Sequence, residues 1–99
     1  MSTIEQLRKQ IQETDCAIIR SLALRQDLSK KIAHLKQQEG KSIIDINQEK
    51  KNFELYEFLA KSYSLDPNFI ARLFRLIIMN SRTLQQYTIC ESHYSELDG

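Results

Sequence analysis

Apolar residues recur at intervals of three or four along the first third of the chain. They are Ile4, Leu7, Ile11, Ile18, Leu22, Leu28, Ile32 and Leu35. This spacing predicts one very long helix from about residue 4 to about residue 38. At about 1.5 Å per residue, such a helix is about 50 Å long. Two shorter helices from the rest of a 99-residue chain cannot cover that length. The stripe therefore predicts a partner, most simply a second copy of the chain.

Two breaks divide the remainder into two further helices. Gly40 is a natural stop for the first helix. Asp45 resembles an N-cap, and Gln48 three residues later completes a capping box for a second helix over residues 46–62. Asp66 and Pro67 begin a third helix that runs to at least residue 86. The expected inner faces are Phe53, Tyr56, Leu59, Ala60 and Tyr63 on the second helix, and Ile70, Leu73, Phe74, Ile77, Ser81, Leu84 and Gln85 on the third.

Composition agrees with an all-α fold of three helices. Two glycines and one proline in 99 residues leave few places to break a helix. The chain is long enough for one domain, residues 1–99, with a core over about residues 4–88. Residues 89–99 have weak periodicity, so we expect a loosely ordered tail.

Charge and cysteine usage narrow the function classes. The net charge of +1 gives no bulk electrostatic reason to bind nucleic acid or an acidic membrane. No stretch resembles a signal peptide or a membrane span, so we expect a cytoplasmic protein. Cys16 and Cys90 are expected to be free thiols. Cys90 and His93 are too few ligands for a metal site, and none is predicted.

Polar residues interrupt the apolar faces at five positions. Arg8, Arg25 and Lys36 lie on or beside the stripe of the first helix, and Ser81 and Gln85 lie on the inner face of the third. A single cation there usually extends to solvent or pairs with a carboxylate across the bundle. Three cations joined by two neutral hydrogen-bonding groups favour a pocket for a small, multiply charged anion.

Distance along the helix indicates how such a pocket would be assembled. Arg8 and Arg25 are about 25 Å apart along the axis, so one small ligand cannot contact both on one helix. Arg25 and Lys36 are about 16 Å apart, and their long side chains can nearly bridge that gap. If Arg8 serves the same kind of pocket, it must come from the other copy. A two-fold dimer with antiparallel long helices achieves this and makes two identical sites.

The chain resembles the all-helical class of chorismate mutase over about residues 4–88. The matching stretches are IEQLRKQIQETD, ALRQDLSKKIAHLK, SIIDINQEKK and FIARLFRLIIMNSRTLQQ, in this order and spacing. The resemblance implies an intertwined homodimeric six-helix bundle with shared active sites. It also implies conversion of chorismate to prephenate by a Claisen rearrangement, in aromatic amino-acid biosynthesis, without a cofactor.

The resemblance assigns the carboxylate and ether contacts of the substrate to four residues. Arg8 matches the arginine that crosses from the partner subunit to a substrate carboxylate. Arg25 matches the arginine that holds a carboxylate within the same subunit. Lys36 matches the lysine at the ether oxygen and a carboxylate, and Gln85 matches the second donor to that oxygen. Lys36, Gln85 and Arg25 are therefore the expected catalytic residues.

At the ring end of the substrate, the resemblance includes one departure. Asp45 and Glu49 match the pair near the ring hydroxyl, and Ser81 matches a serine near the ring carboxylate. The family usually has an arginine just before that glutamate, where this chain has Gln48. Gln48 is either a helix cap or a sign of altered specificity. Lys51, one turn beyond, is a candidate to reach the same end.

Other functions remain open from the sequence. A related enzyme on the same scaffold, an isochorismate-pyruvate lyase or a 4-amino-4-deoxychorismate mutase, would fit the missing arginine. A non-catalytic helical dimerisation or regulatory module would explain the long stripe but not the polar residues on it. The chain could also be the mutase domain of a larger bifunctional protein. Three cations less the charge of Glu49 leave two net positive charges, which balance a dicarboxylate such as chorismate.

Overall fold

The structure, a computed structural model, describes the backbone of residues 3–98 and the side chains of residues 3–87. Its elements are α1 (Ile4–Glu39), α2 (Ile46–Ser62) and α3 (Pro67–Asp98), with no strand in this range. The all-α prediction is confirmed. Helix α1 has 36 residues. Helix α3 continues past residue 86 and has 32 residues. The side chains of the tail lie outside the described residues, and its loose order stays a prediction.

Side-chain caps fix where the helices begin. Thr3 and Gln6 form a full capping box at the start of α1, which the apolar pattern did not reveal. Asp45 caps α2 as predicted, because its carboxylate accepts from the Gln48 backbone N–H at 3.1 Å. The Gln48 amide donates to Asn52 at 2.9 Å. The structure therefore shows only the first half of the predicted box at α2.

Both turns between helices close with a residue in the left-handed conformation. Gly40 has a φ of 68°, and the N–H that follows it donates to the carbonyl of Lys36 at 2.8 Å. Ser64 has a φ of 56°, and the next N–H donates to the carbonyl of Ala60 at 2.8 Å. Each is the six-residue helix ending in which the orphan carbonyls of the last turn are satisfied. The two turns fold the chain back on itself twice.

Helix α3 is the central element, since it packs against both α1 and α2. Tyr56 of α2 stacks on Phe74 of α3 with ring centroids 3.9 Å apart, and Phe53 meets Tyr56 edge-on at 5.4 Å. The Arg75 guanidinium lies 5.9 Å from the Phe53 ring centroid. This aromatic cluster fixes α2 on α3 and thereby positions the start of α2 opposite α1.

A single chain buries little of its apolar surface. Among the described side chains, the buried hydrophobic ones are Ala33 and Ala60. Three residues predicted to face inward are exposed within a single chain, so the prediction is wrong for them: Leu59 at 40%, Tyr63 at 75% and Leu73 at 39%. The radius of gyration is 17.8 Å, against about 13 Å for a compact domain of this length. None of the described helices is long and apolar enough to cross a membrane.

Candidate functional site

A cavity of about 470 Å³ lies between the C-terminal half of α1, the start of α2 and the middle of α3. Its volume is in the range of small-molecule sites. Its apolar wall residues are Leu28, Ile32, Ile43 and Ile78. Its polar wall residues are Arg25, Ser29 and Lys36 from α1, Asp45, Gln48, Glu49 and Asn52 from the α2 side, and Ser81, Arg82 and Gln85 from α3.

The structure brings together all of the predicted site residues except Arg8. Arg8 lies in the other half of α1, where its side chain is 69% exposed and pairs with Glu5 at 2.9 Å. Its contribution from a second copy stays a prediction. Lys51 is exposed and does not line the cavity, so it does not take the place of the missing arginine.

Arg25 and Ser81 join α1 to α3 across one side of the cavity. The Arg25 guanidinium donates to the Ser81 hydroxyl at 2.5 Å, and that hydroxyl donates to the carbonyl of Ile77 at 3.0 Å. Arg25 is half-buried and Ser81 is buried. A guanidinium has five N–H donors in a fixed fork, so the Ser81 contact orients Arg25 while leaving donors for a ligand.

Gln85 is held by Ser29, which was not among the predicted site residues. Its amide nitrogen donates to the Ser29 hydroxyl at 2.7 Å and to the Ser29 carbonyl at 3.2 Å, in a buried contact. Gln85 and Ser29 are 9% and 7% exposed. Buried polar groups are costly unless paired, and this pair fixes the position of the Gln85 amide in the wall. Ser29 follows Arg25 by one helical turn, which is the signal that could have identified it.

Lys36 joins the end of α1 to the loop before α2. Its ammonium donates to the carbonyl of Ile43 at 2.8 Å, and its side chain is half-buried. An ammonium has three donors, so this contact leaves capacity for a second partner in the cavity. The contact also ties the loop to α1, next to the Asp45 cap that begins α2.

Arg82 and Glu49 join α3 to α2 and complete the third side of the cavity. The Arg82 guanidinium forms an ion pair with the Glu49 carboxylate, and the two side chains are 35% and 29% exposed. Glu49 was predicted as a site residue from the sequence, whereas Arg82 and Asn52 were not. The helical spacing could have identified both, because residues one turn apart lie on the same face. Arg82 follows Ile78 by one turn, and Asn52 follows Gln48 by one turn.

The cavity is thus bordered by four polar bridges: two join α1 to α3, one joins α1 to the loop before α2, and one joins α3 to α2. Its wall carries three cations (Arg25, Lys36 and Arg82) and two carboxylates (Asp45 and Glu49). Guanidinium, ammonium, hydroxyl and amide donors at fixed positions suit an anionic ligand. Residues 3–87 contain no group of three or more potential metal ligands. Cys90 and His93 lie beyond the side chains that the structure describes.

The fold is thus all-helical, and its cavity has the donor groups that suit a small organic anion. Residues 7–86 match the family model of chorismate mutase type II. The match covers most of the chain, and the chain belongs to this family. The family resemblance drawn from the four sequence stretches is confirmed.

Curated proteins give the same result. The chain is 30% identical over 89 residues to the chorismate mutase of Methanocaldococcus jannaschii, covering 90% of both chains. It is 39% identical over 79 residues to the bifunctional chorismate mutase/prephenate dehydratase of Buchnera aphidicola from Acyrthosiphon pisum. It is 30% identical over 92 residues to the bifunctional enzyme of that name from Escherichia coli. The chain spans 20% and 24% of the length of these two bifunctional relatives.

Proposed function

We propose that the chain is a chorismate mutase that converts chorismate to prephenate in a homodimer with two shared active sites. The observation that carries this proposal is the cavity, in which α1 and α3 direct Arg25, Lys36, Ser81 and Gln85 to one space. The family match supports the reaction class. The substrate is a dianion, and the wall is rich in cationic and neutral donors.

The surface of one chain supports the dimer. The chain exposes 8325 Å², whereas a compact monomer of this mass exposes about 5,900 Å². The excess is comparable with the area that an obligate homodimer covers. Large apolar residues are exposed on all three helices, and on the N-terminal half of α1 the exposed fractions of Ile4, Ile11 and Ile18 are 68%, 61% and 54%. A second copy laid on this stripe would remove it from water.

The position of Arg8 favours antiparallel pairing of the two α1 helices. If the two-fold axis crosses α1 near residue 19, Arg8 of one copy lies level with about residue 30 of the other. That level falls between Arg25 and Lys36, beside the cavity. Arg8 would exchange its exposed contact with Glu5 for a carboxylate of the substrate. Each site would then contain residues of both chains.

The reaction is unimolecular, so the site must hold the substrate in its reactive shape. In that shape, the enolpyruvyl tail lies over the ring in a compact diaxial conformer. Arg25 and the second copy's arginine at position 8 would anchor the two carboxylates. Bidentate guanidinium–carboxylate pairs fix both direction and distance. Holding the bent conformer removes part of the entropic barrier before the reaction begins.

The transition state places negative charge on the ether oxygen, because the C–O bond breaks ahead of C–C bond formation. Lys36 would donate to this oxygen, and Gln85 would do so by exchanging its longer contact, 3.2 Å to the Ser29 carbonyl, for the substrate. A fixed donor at a developing charge in a water-poor site contributes roughly 3 kcal/mol. The neutral Gln85 amide donates without a change of protonation, and Ser29 holds it in the wall. The chain supplies these donors from its own side chains.

Direct assay tests the proposal. The chain is incubated separately with chorismate, isochorismate and 4-amino-4-deoxychorismate, and prephenate, pyruvate and the amino analogue of prephenate are measured. We expect turnover of chorismate to prephenate. Turnover of only one of the other two substrates would reassign the chain to a related enzyme. No turnover, together with no thermal stabilisation by a dicarboxylate transition-state analogue, would indicate a non-catalytic module.

Removing the Lys36 ammonium tests the proposed mechanism most directly. Lys36→Ala is expected to lower kcat/KM by about 100-fold or more while the dimer stays folded, because a donor to the ether oxygen is lost. Lys31→Ala, an exposed lysine of α1 outside the cavity wall, is the matched control and should match the unchanged enzyme. Prephenate formation and circular dichroism are measured on both. A Lys36→Ala variant with normal kcat/KM would contradict the proposed mechanism.

A further inference from the structure

The ion pair between Arg82 and Glu49 lies in the cavity wall rather than on the outer surface. Both side chains line the cavity, and each is about one-third exposed. An isolated ion pair with this exposure contributes little to stability. A pair of this kind in a ligand cavity instead presents an oriented guanidinium to whatever enters. The Glu49 carboxylate occupies one edge of the fork, and other N–H donors of Arg82 remain.

The α2 side of the cavity has no other cation among the described residues. Arg25 contacts Ser81 on α3, and Lys36 contacts the loop carbonyl of Ile43. Gln48 is neutral, and its amide nitrogen donates to Asn52 along α2. Arg82 reaches from α3 across the cavity to α2.

The net charge of the cavity wall also indicates that Arg82 contributes to binding an anion. With Asp45 in the wall beside Glu49, Arg25 and Lys36 only neutralise the two carboxylates. Adding Arg82 gives one chain a net charge of +1 in the wall, and the arginine at position 8 of a second copy would raise it to +2. That value matches a dicarboxylate dianion. Without Arg82, the assembled site would carry one positive charge for two negative ones.

We infer that Arg82 is a substrate-binding residue that holds the ring end of the substrate. It supplies from α3 the cation that Gln48 does not supply from α2. In this arrangement the guanidinium stays paired with Glu49 and donates to the ring carboxylate beside Ser81. The inference rests on the proposed function, since it assigns a group of that substrate to a residue of the same site.

Removing the guanidinium tests the inference. Arg82→Ala is expected to raise KM for chorismate and to lower kcat/KM by about 10- to 100-fold, the range for loss of a charge-assisted hydrogen bond. Arg72→Ala removes an exposed arginine from the same helix, outside the cavity wall, and should leave both constants unchanged. Thermal unfolding is measured for each variant. If the alanine variant does not fold, Arg82→Gln keeps much of the side-chain length and replaces it.

Moving the charge separates substrate binding from a purely structural role. The double variant Gln48→Arg with Arg82→Gln keeps the cation count but places the guanidinium on α2. We expect it to recover at least about ten-fold in kcat/KM over Arg82→Gln. An Arg82→Gln variant with an unchanged KM would overturn the inference. So would a raised KM that the transposed arginine does not lower, because Arg82 would then act only by holding Glu49.

The outcomes distinguish this inference from the proposed function. Failure of the unchanged enzyme to convert chorismate would remove the proposed function and the inference with it. Normal conversion by the unchanged enzyme, together with normal KM in the Arg82 variants, would remove the inference alone. The proposed reaction would then stand with a ring end held by Ser81 and Glu49.

Discussion

The two halves of α1 have the same apolar spacing but different surroundings. In residues 25–36, α3 lies against the helix and the start of α2 faces it across the cavity. Ser29 and Ala33 are buried there, and Arg25 and Lys36 are half-buried. In residues 4–22, every side chain is exposed, including apolar residues such as Ile11. One half is a wall of the site. The other is a surface that no described element of the same chain covers.

The difference shows what one chain can and cannot build. Helical spacing places apolar side chains on one face, but burial requires a neighbouring element on that face. Helices α2 and α3 are both held near one end of α1 by the turn at Gly40 and by the aromatic cluster. A polar residue in the covered half can therefore line a cavity in its own chain. Arg8, in the uncovered half, can reach a cavity only in another copy.

The largest expected effect comes from placing a charge on the uncovered half. Ile11→Glu would bury a carboxylate without a partner in the proposed interface, at a cost of several kcal/mol per ion. The dimer should dissociate, helical content should fall, and prephenate formation should be lost. Light scattering, circular dichroism and the mutase assay measure the three effects.

Its control reverses a charge on the opposite face of the same half. Lys9 is exposed and lies about 160° from Ile11 around the helix. Lys9→Glu changes the charge by two units and should leave the dimer and its activity intact. An Ile11→Glu variant that stays dimeric and active would show that the apolar stripe is not the contact between the copies.

The next largest effect is expected in a complementation experiment that combines one variant from each half of α1. Arg8→Ala damages the uncovered half, and Arg25→Ala damages the covered half. Each homodimer should be inactive. In an equal mixture after subunit exchange, about half of the dimers contain one chain of each kind, and one of their two sites is intact. Activity should recover to about a quarter of that of the unchanged enzyme in the prephenate assay.

Failure to recover would separate two models of the site. If native mass spectrometry detects the mixed dimers and the mixture stays inactive, Arg8 and Arg25 do not belong to one shared site. If Arg8→Ala homodimers are fully active, Arg8 has no part in binding. Either result would leave the cavity of one chain as the whole site.

Most helix boundaries could be predicted from the residues next to them in the sequence. Gly40, Asp45 and Pro67 lie where the helices stop and start, because caps and turn residues act on their immediate neighbours. The left-handed conformation of Ser64 was not predicted. A serine rarely adopts it, so it depends on the surrounding turn and not on the residue itself. The exposure of Tyr63 shows that periodicity predicts a face, while the number of elements covering it depends on the assembly.

The site residues also fall into those that could be predicted from the sequence and those that could not. Arg25, Lys36, Ser81 and Gln85 were predicted because a polar group on an apolar face is a local anomaly that the sequence displays. Ser29, Asn52 and Arg82 were missed because a polar residue at the edge of a face resembles an ordinary surface residue. Their roles depend on partners elsewhere in the fold; Arg82, for example, meets Glu49 on another helix.

The smallest expected effect lies within the covered half and concerns Ser29. Ser29→Ala removes the hydroxyl that accepts from the Gln85 amide at 2.7 Å and leaves the weaker contact to the backbone carbonyl. A neutral hydrogen bond contributes about 1 kcal/mol, so kcat should fall by roughly five-fold as the amide becomes less well positioned. KM should change little, because the proposed mechanism assigns no substrate contact to Ser29.

Ser62→Ala is the matched control for that variant. Its hydroxyl donates to a carbonyl of its own helix at 2.8 Å, away from the cavity, so kcat should not change. Steady-state kinetics and thermal unfolding are measured for both variants. A Ser29→Ala variant that loses stability but keeps its kcat would show that Ser29 only packs α1 against α3. A lower kcat at constant KM would show that a chain without a large apolar core still positions a catalytic amide through one buried polar contact.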